Sequence, residues 1–161
     1  MLQYESVFGI KFSRRSAMLL AFLALLPNAL GMIVLQTPFG FKFHLFQIAV
    51  FMAALLYGKW GGALSGAAGS VYTAIALGNP FVIGGNVILG FFAGAFAKKV
   101  NIVFAVLAAF AMQVPWLYVT DLLAGMPEAA VQGAIIALLF SNIFWAALAG
   151  LVFKRIRALI Q

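Results

Sequence analysis

Two apolar runs set back to back between Gly58 and Lys99 constrain this chain more than any other feature. They read GKWGGALSGAAGSVYTAIALGNPFVIGGNVILGFFAGAFAKK, and only Gly78, Asn79 and Pro80 separate them. A helix needs roughly 20 apolar residues to cross a bilayer, and each run comes close to that. Lys59 stands at one outer end, Lys98 and Lys99 at the other. Small residues recur at four-residue spacing: Gly62, Gly66 and Ser70; Gly61, Ser65 and Gly69; then Gly90 and Gly94. Lipid gives helices no hydrophobic reason to associate, so close packing of small-residue faces has to do that work. The stretch predicts a membrane hairpin gripped by neighbouring helices.

The rest of the chain extends the same pattern. Of its 161 residues, 66% are hydrophobic and 8% charged. A soluble core of this length cannot hide so much apolar surface, so the solvent is the bilayer. The spacing predicts an all-α integral membrane protein, a compact bundle of six transmembrane helices forming a single domain over 1–161. The helices are expected at about 16–36, 43–57, 60–77, 80–97, 102–123 and 129–153. Residues 1–15 read as an interfacial lead-in, and the following apolar run is too long, with too poor a cleavage site, for a signal peptide. Pro27 and Asn28 interrupt the first helix, Pro115 lies inside the fifth, and Pro38 and Gly40 mark the first loop.

The basic residues divide by side. Lys11, Arg14, Arg15, Lys59, Lys98, Lys99, Lys154, Arg155 and Arg157 fall on one side of a six-helix bundle, and Lys42 alone on the other. The positive-inside rule then puts both termini in the cytoplasm. The net charge of +7 is therefore a topology signal rather than a nucleic-acid footprint.

Several kinds of chemistry are absent. There is no phosphate-binding Gly-x-x-x-x-Gly-Lys-Ser/Thr loop. One histidine, three acids and no cysteine leave no metal-ligand set, no disulfide and no Ser-His-Asp constellation. Neither an enzyme nor a resident cofactor or metal is expected, and the chain shows no energy source of its own.

Polar residues inside the spans are the positive clue. Asn28, His44, Gln47, Asn86, Gln113, Trp116, Tyr118, Asp121 and Gln132 fall in the outer half or near the midplane. Polar side chains in lipid face inward, and a cluster of amides, aromatics and one acid suits a small polar or aromatic ligand. Each amide alone also reads as helix-to-helix glue, and Trp116 and Tyr118 also read as interfacial belt residues. His44 reads first as a solvated residue at the membrane surface and second as a ligand contact. On the inner side, Ala17, Ala21 and Ala24 give the first helix a small-residue face for a partner helix, or for packing in the bundle. Ser141, Asn142 and Trp145 lie deeper and read as packing.

Taken together, six helices in so short a chain, the Ala17-Met-Leu-Leu-Ala21 element and the run LLYGKWGGALSGAAGSVY followed by GNPFVIGGNVILGFFAGAFAKK resemble the substrate-binding S component of energy-coupling factor (ECF) transporters. As topology the resemblance covers the whole chain, as sequence about the middle third. It implies a subunit that captures a vitamin or related micronutrient at the outer face of a prokaryotic plasma membrane. Such a subunit docks on a membrane coupling subunit and two ATPases that supply the energy. It also implies docking through Ala17 and Ala21, and ligand contacts at Asn86, Gln113, Trp116, Tyr118, Asp121 and Gln132. His44 is not N-terminal, against the metal-uptake branch, and no single vitamin subfamily's signature is present. The competing readings are a small scaffold of the cell-shape or wall-synthesis machinery, similar to the MreD family, and a membrane enzyme. The scaffold takes no small ligand; the enzyme needs buried acid or histidine pairs that the sequence lacks.

Overall fold

The computed structural model describes residues 13–33, 35–36 and 42–160. They form α1 (Arg14–Gly31), β1 (Leu35–Gln36), β2 (Lys42–Phe43), α2 (Gln47–Gly69), α3 (Val71–Leu77), α4 (Phe81–Phe96), α5 (Ile102–Leu123) and α6 (Glu128–Ile160). Residues 1–12 of the expected lead-in, with Lys11, and the loop tip with Pro38 and Gly40 lie outside the described residues. Among the described residues, Gln47–Leu77, Ile102–Leu123 and Glu128–Ala158 are long and apolar enough to cross a membrane, and Phe81–Phe96 is a shorter apolar helix.

The start of α1 is capped by Ser13, whose hydroxyl accepts from the Ser16 N–H at 3.2 Å. The helix stops at Gly31, not near 36 as its hydropathy suggests. Gly31 and the β-branched Ile33 both disfavour continuation of the helix. Leu35 then pairs with Phe43 and Gln36 with Lys42 in a short antiparallel ribbon. The second helix consequently begins at Gln47 rather than at 43.

Within α1, Pro27 has no N–H to give the Leu23 carbonyl one turn back. The Ser65 hydroxyl of α2 donates to that carbonyl at 2.7 Å instead. Asn28 does similar work: its Nδ2 donates to Ala68 O at 2.7 Å, and its Oδ1 accepts from the Tyr72 N–H at 2.9 Å. Both bonds fall where α2 gives way to α3, so Asn28 satisfies the backbone at that break.

The sequence places a turn at Gly58 and Lys59, and the chain reverses there. Gly58 has φ 65° and ψ −156°, a conformation open in practice only to glycine. A Cβ at Gly61 would lie 2.8 Å from the Ala53 carbonyl oxygen, and one at Gly62 would lie 3.0 Å from Ala54 Cβ. In a straight helix residues eight apart are separated by about 12 Å. The two arms of α2 therefore lie side by side. Although Gln47–Leu77 is one apolar run by length, its first arm, 47–57, rises only about 16 Å, half a hydrocarbon core.

The second arm of α2 meets α4 backbone to backbone. A Cβ at Gly62 would fall on the Gly90 carbonyl, one at Gly90 on the Gly62 carbonyl, and one at Gly66 on that of Asn86. The small-residue stripes thus serve packing inside this chain. α5 packs on α4 on one side and on α6 on the other, and α6 returns against the first arm of α2. α5 begins with Asn101, whose Oδ1 accepts from the Phe104 N–H at 3.1 Å.

One end of the bundle gathers basic residues. Tyr57 OH donates to Ser16 O at 2.7 Å, which sets Arg14 and Arg15 beside the turn at Gly58 and Lys59. Gly94, four residues before Lys98, packs on Gly58, and Gly150 packs on Ile102, three residues after Lys99. α6 continues past the expected 153 through Arg155 and Arg157 to Ile160. Cations near a helix C-terminus are favourable against its dipole, so the charged run prolongs the helix rather than ending it.

Candidate functional site

The polar residues of the spans separate into a deep layer and a cluster at the end opposite the basic residues. Helical rise sets the depth of the layer. Measured from the basic end at about 1.5 Å per residue, Gln47 stands about 16 Å above Gly58, Asn86 about 12 Å above Gly94, Gln113 about 16 Å above Ile102, and Ser141 about 13 Å above Gly150. Four helices thus place amides and a hydroxyl at a similar height above the basic end, a rise of about half the 30 Å or so of a hydrocarbon core.

All members of the layer are buried: Gln47 1%, Asn86 5%, Gln113 3%, and Ser141 and Asn142 0% exposed. The Ser141 hydroxyl donates to Gln47 Oε1 at 2.6 Å, a firm bond. Gln113 Nε2 donates to Asn86 Oδ1 at a long 3.5 Å. Gln113 Oε1, Asn142 Nδ2 and Asn142 Oδ1 are buried with no hydrogen-bond partner. Each such orphan destabilises by about 1–3 kcal/mol, so this layer is the part of the bundle whose polar groups the chain itself leaves unmatched.

The end cluster is better satisfied. Asn79 is 3% exposed. Its Nδ2 donates to Asp121 Oδ1 at 2.8 Å, and its Oδ1 accepts from the Phe81 N–H at 3.0 Å. Trp116 Nε1 donates to Phe81 O at 2.9 Å, and its ring lies over Gly84 and Gly85. Together these bonds tie the α3–α4 turn, with Gly78 at φ 63°, down onto α5. Also on α5, Tyr118 OH donates to Glu128 Oε1 at 2.7 Å, and Gln132 Nε2 donates to the same oxygen at 3.2 Å.

Of the residues picked from sequence, then, Asn86 and Gln113 pair in the deep layer and Gln47 pairs there with Ser141, while Trp116, Tyr118, Asp121 and Gln132 sit in the end cluster. Asn28 lies apart, with both ends of its amide on backbone. His44 is half-buried, with its ring edge-on to Phe46 at 5.9 Å. Ala17 is half-buried and Ala21 exposed on α1, whereas Ala24 is 5% exposed and packed inside the bundle, away from any partner. Sequence reasoning missed Asn79, Glu128 and Asn142. Asn79 reads only as a turn residue between glycine and proline, and Asn142 reads as packing until its lack of a partner is seen.

Replacing Asn79 with alanine removes two bonds at once. The expected result is about 2 kcal/mol of lost stability and faster amide hydrogen exchange at Phe81, with little change in α6. Unchanged exchange at Phe81 would show that the turn is held by something else.

Scans against protein-family models, the curated proteins and the solved structures each find nothing that matches this chain.

Proposed function

We propose that the chain is the substrate-binding S component of an ECF-type importer: a six-span bundle with both termini in the cytoplasm of a prokaryotic plasma membrane. The observation that supports this most is the deep amide layer. Gln113 and Asn86 lie buried between α4 and α5 with Gln113 Oε1 unmatched, as in a site that awaits a polar guest. The gathering of Arg14, Arg15, Lys59, Lys98, Lys99, Arg155 and Arg157 at one end supports a cytoplasmic assignment for that end. The ligand then enters from the opposite end, past the turn held by Asn79 and Asp121 and past Trp116, Tyr118 and Gln132.

On this reading α1 supplies the docking face. Ala21 is exposed beside Met18, Phe22 and Leu25, at 64%, 56% and 65%, so a partner helix can approach closely between larger apolar side chains. The partners are a membrane coupling subunit and two ATPases. The test is affinity purification of the tagged chain from membranes that also contain a coupling subunit and its ATPases. Stoichiometric recovery of those subunits is expected; their absence from an intact, folded preparation would count against the assignment.

A further inference from the structure

We infer that the Lys59–Trp60–Phe91 cluster, at the basic end of the bundle, is a binding site for one phospholipid with an anionic headgroup. The inference stands apart from the importer reading and needs only that these helices cross a bilayer. Lys59 follows Gly58, where the chain reverses. Its Nζ lies 5.5 Å from the ring centroid of Trp60 and 5.5 Å from that of Phe91 on α4. The two rings stand edge to face, with centroids 5.3 Å apart and planes at 75°. The ammonium is thus held by aromatic groups from two helices, and a charge already in place loses less freedom when an anion binds it.

Among the described residues no acidic side chain answers that charge. Those residues carry Asp121 and Glu128, both at the opposite end of the bundle. Asp121 stands about 28 Å above Ile102 by helical rise. More cations gather instead. A Cβ at Gly94 would meet the backbone of Gly58 and Lys59, so the end of α4 lies against the turn, and exposed Lys98 follows Gly94 by four residues. The Tyr57–Ser16 bond brings Arg14 and Arg15 to the same turn. An orientation signal needs only the charges, whereas two rings around one of them make a place for a single ligand. An anionic headgroup supplies the missing counter-charge. A zwitterionic one also brings an ammonium group, which meets only cations here.

The surface beside the cluster suits the rest of a lipid. Trp60, Leu64 and Val71 are 68%, 48% and 45% exposed. Spacings of four and seven residues keep them on one helical face, along α2 and into α3. Val71 stands about 17 Å from Trp60 by helical rise, close to the depth of one leaflet. A headgroup at Lys59 therefore leaves its acyl chains along this apolar ridge. A second copy of the chain is the poorer occupant, because it would bring Lys59 and Lys98 of both copies together.

The experiment titrates the full chain in detergent with phosphatidylglycerol or phosphatidylcholine of identical acyl chains, and counts bound lipids by native mass spectrometry. The first phosphatidylglycerol is expected to bind about tenfold more tightly than phosphatidylcholine. Lys59→Gln weakens it about fivefold and Trp60→Leu, which keeps apolar bulk, about threefold, while Lys59→Arg retains it. Arg155→Gln removes the same charge from an exposed position on α6 at the same end, and weakens it less than about twofold. Equal weakening by Arg155→Gln and Lys59→Gln would reduce the effect to general attraction to a basic surface and overturn the site. Equal affinity for the two lipids, or no bound phosphatidylglycerol, would overturn it as well. Glycerophosphate, a phosphate ester without acyl chains, is expected not to displace the lipid; displacement at equal concentration would make the ligand a free anion. A stable dimer that takes up no lipid would assign the face to a second copy. If Trp60→Leu does not fold, Lys59→Gln, altered only at an exposed side chain, decides by the same criterion. None of these results bears on recovery of the coupling and ATPase subunits, so failure of the lipid site and failure of the importer reading are distinguishable.

Discussion

Substituting leucine for Gly62 or Gly90 is expected to destroy the folded bundle. At both positions the first added carbon already falls on the opposing backbone carbonyl, so no rotamer relieves the clash. Only separation of α2 from α4 would make room, and these two helices share the broadest contact in the bundle. Overpacking of a tight core typically destabilises by about 1–3 kcal/mol, and more where backbone must move. Against a total stability of roughly 5–15 kcal/mol, a rigid backbone clash of this kind removes most of the folded population. The measurement is the monodisperse fraction after detergent extraction and the Tm of what survives. Gly133→Leu on α6 is the control: nothing lies within 4 Å of a Cβ there, so its yield and Tm should match the wild type. Normal folding of Gly62→Leu would mean that the backbone-to-backbone crossing is not what joins α2 and α4.

The second large effect concerns docking. On the proposed importer reading, the Ala17→Trp, Ala21→Trp double variant is expected to abolish ATP-driven uptake, by about 100-fold or more, because a coupling subunit would lose its close approach to α1. A coupling loss of that size corresponds to roughly 3 kcal/mol. Ala21 is exposed and Ala17 is half-buried on α1, so the bundle itself should keep most of its Tm. Ligand retained by the isolated subunit should be unchanged. Ala24→Trp should behave differently: Ala24 is 5% exposed, so a bulky side chain there unfolds α1 from the bundle instead of blocking a partner. Uptake unaffected by the double variant would remove α1 from the docking face.

Much of the helical layout was legible because apolar runs with polar ends are a local signal. α5 occupies 102–123 as its composition suggests, bounded by the Asn101 cap and by Gly125 at φ 85°. The turn at Gly58 was legible as a Gly-Lys break between apolar runs. The early end of α1 and the ribbon at Leu35–Gln36 and Lys42–Phe43 were not, since hydropathy alone does not separate an apolar strand from the end of an apolar helix. The overrun of α6 is not legible from composition, because a run of charges reads as a helix end although a helix C-terminus welcomes cations.

For the candidate site, the choice of residues was more legible than their grouping. Polar side chains in apolar spans stand out singly, but partners such as Asn79 with Asp121, 42 residues apart, or Gln47 with Ser141, 94 apart, follow only from how the helices pack. Asn142 lies at the limit of sequence reasoning. Its identity is plain in the chain, and its significance lies in having no partner, which only the packed bundle reveals.

The central claim is that this bundle holds a small polar molecule, and the most direct test is mass spectrometry of compounds released from the detergent-purified protein. The account predicts one vitamin-like compound at close to one per chain, retained by the Ala17→Trp, Ala21→Trp variant and lost from Gln113→Met. A protein that carries no such compound, and that also fails to recover coupling and ATPase subunits from membranes containing them, would contradict the account.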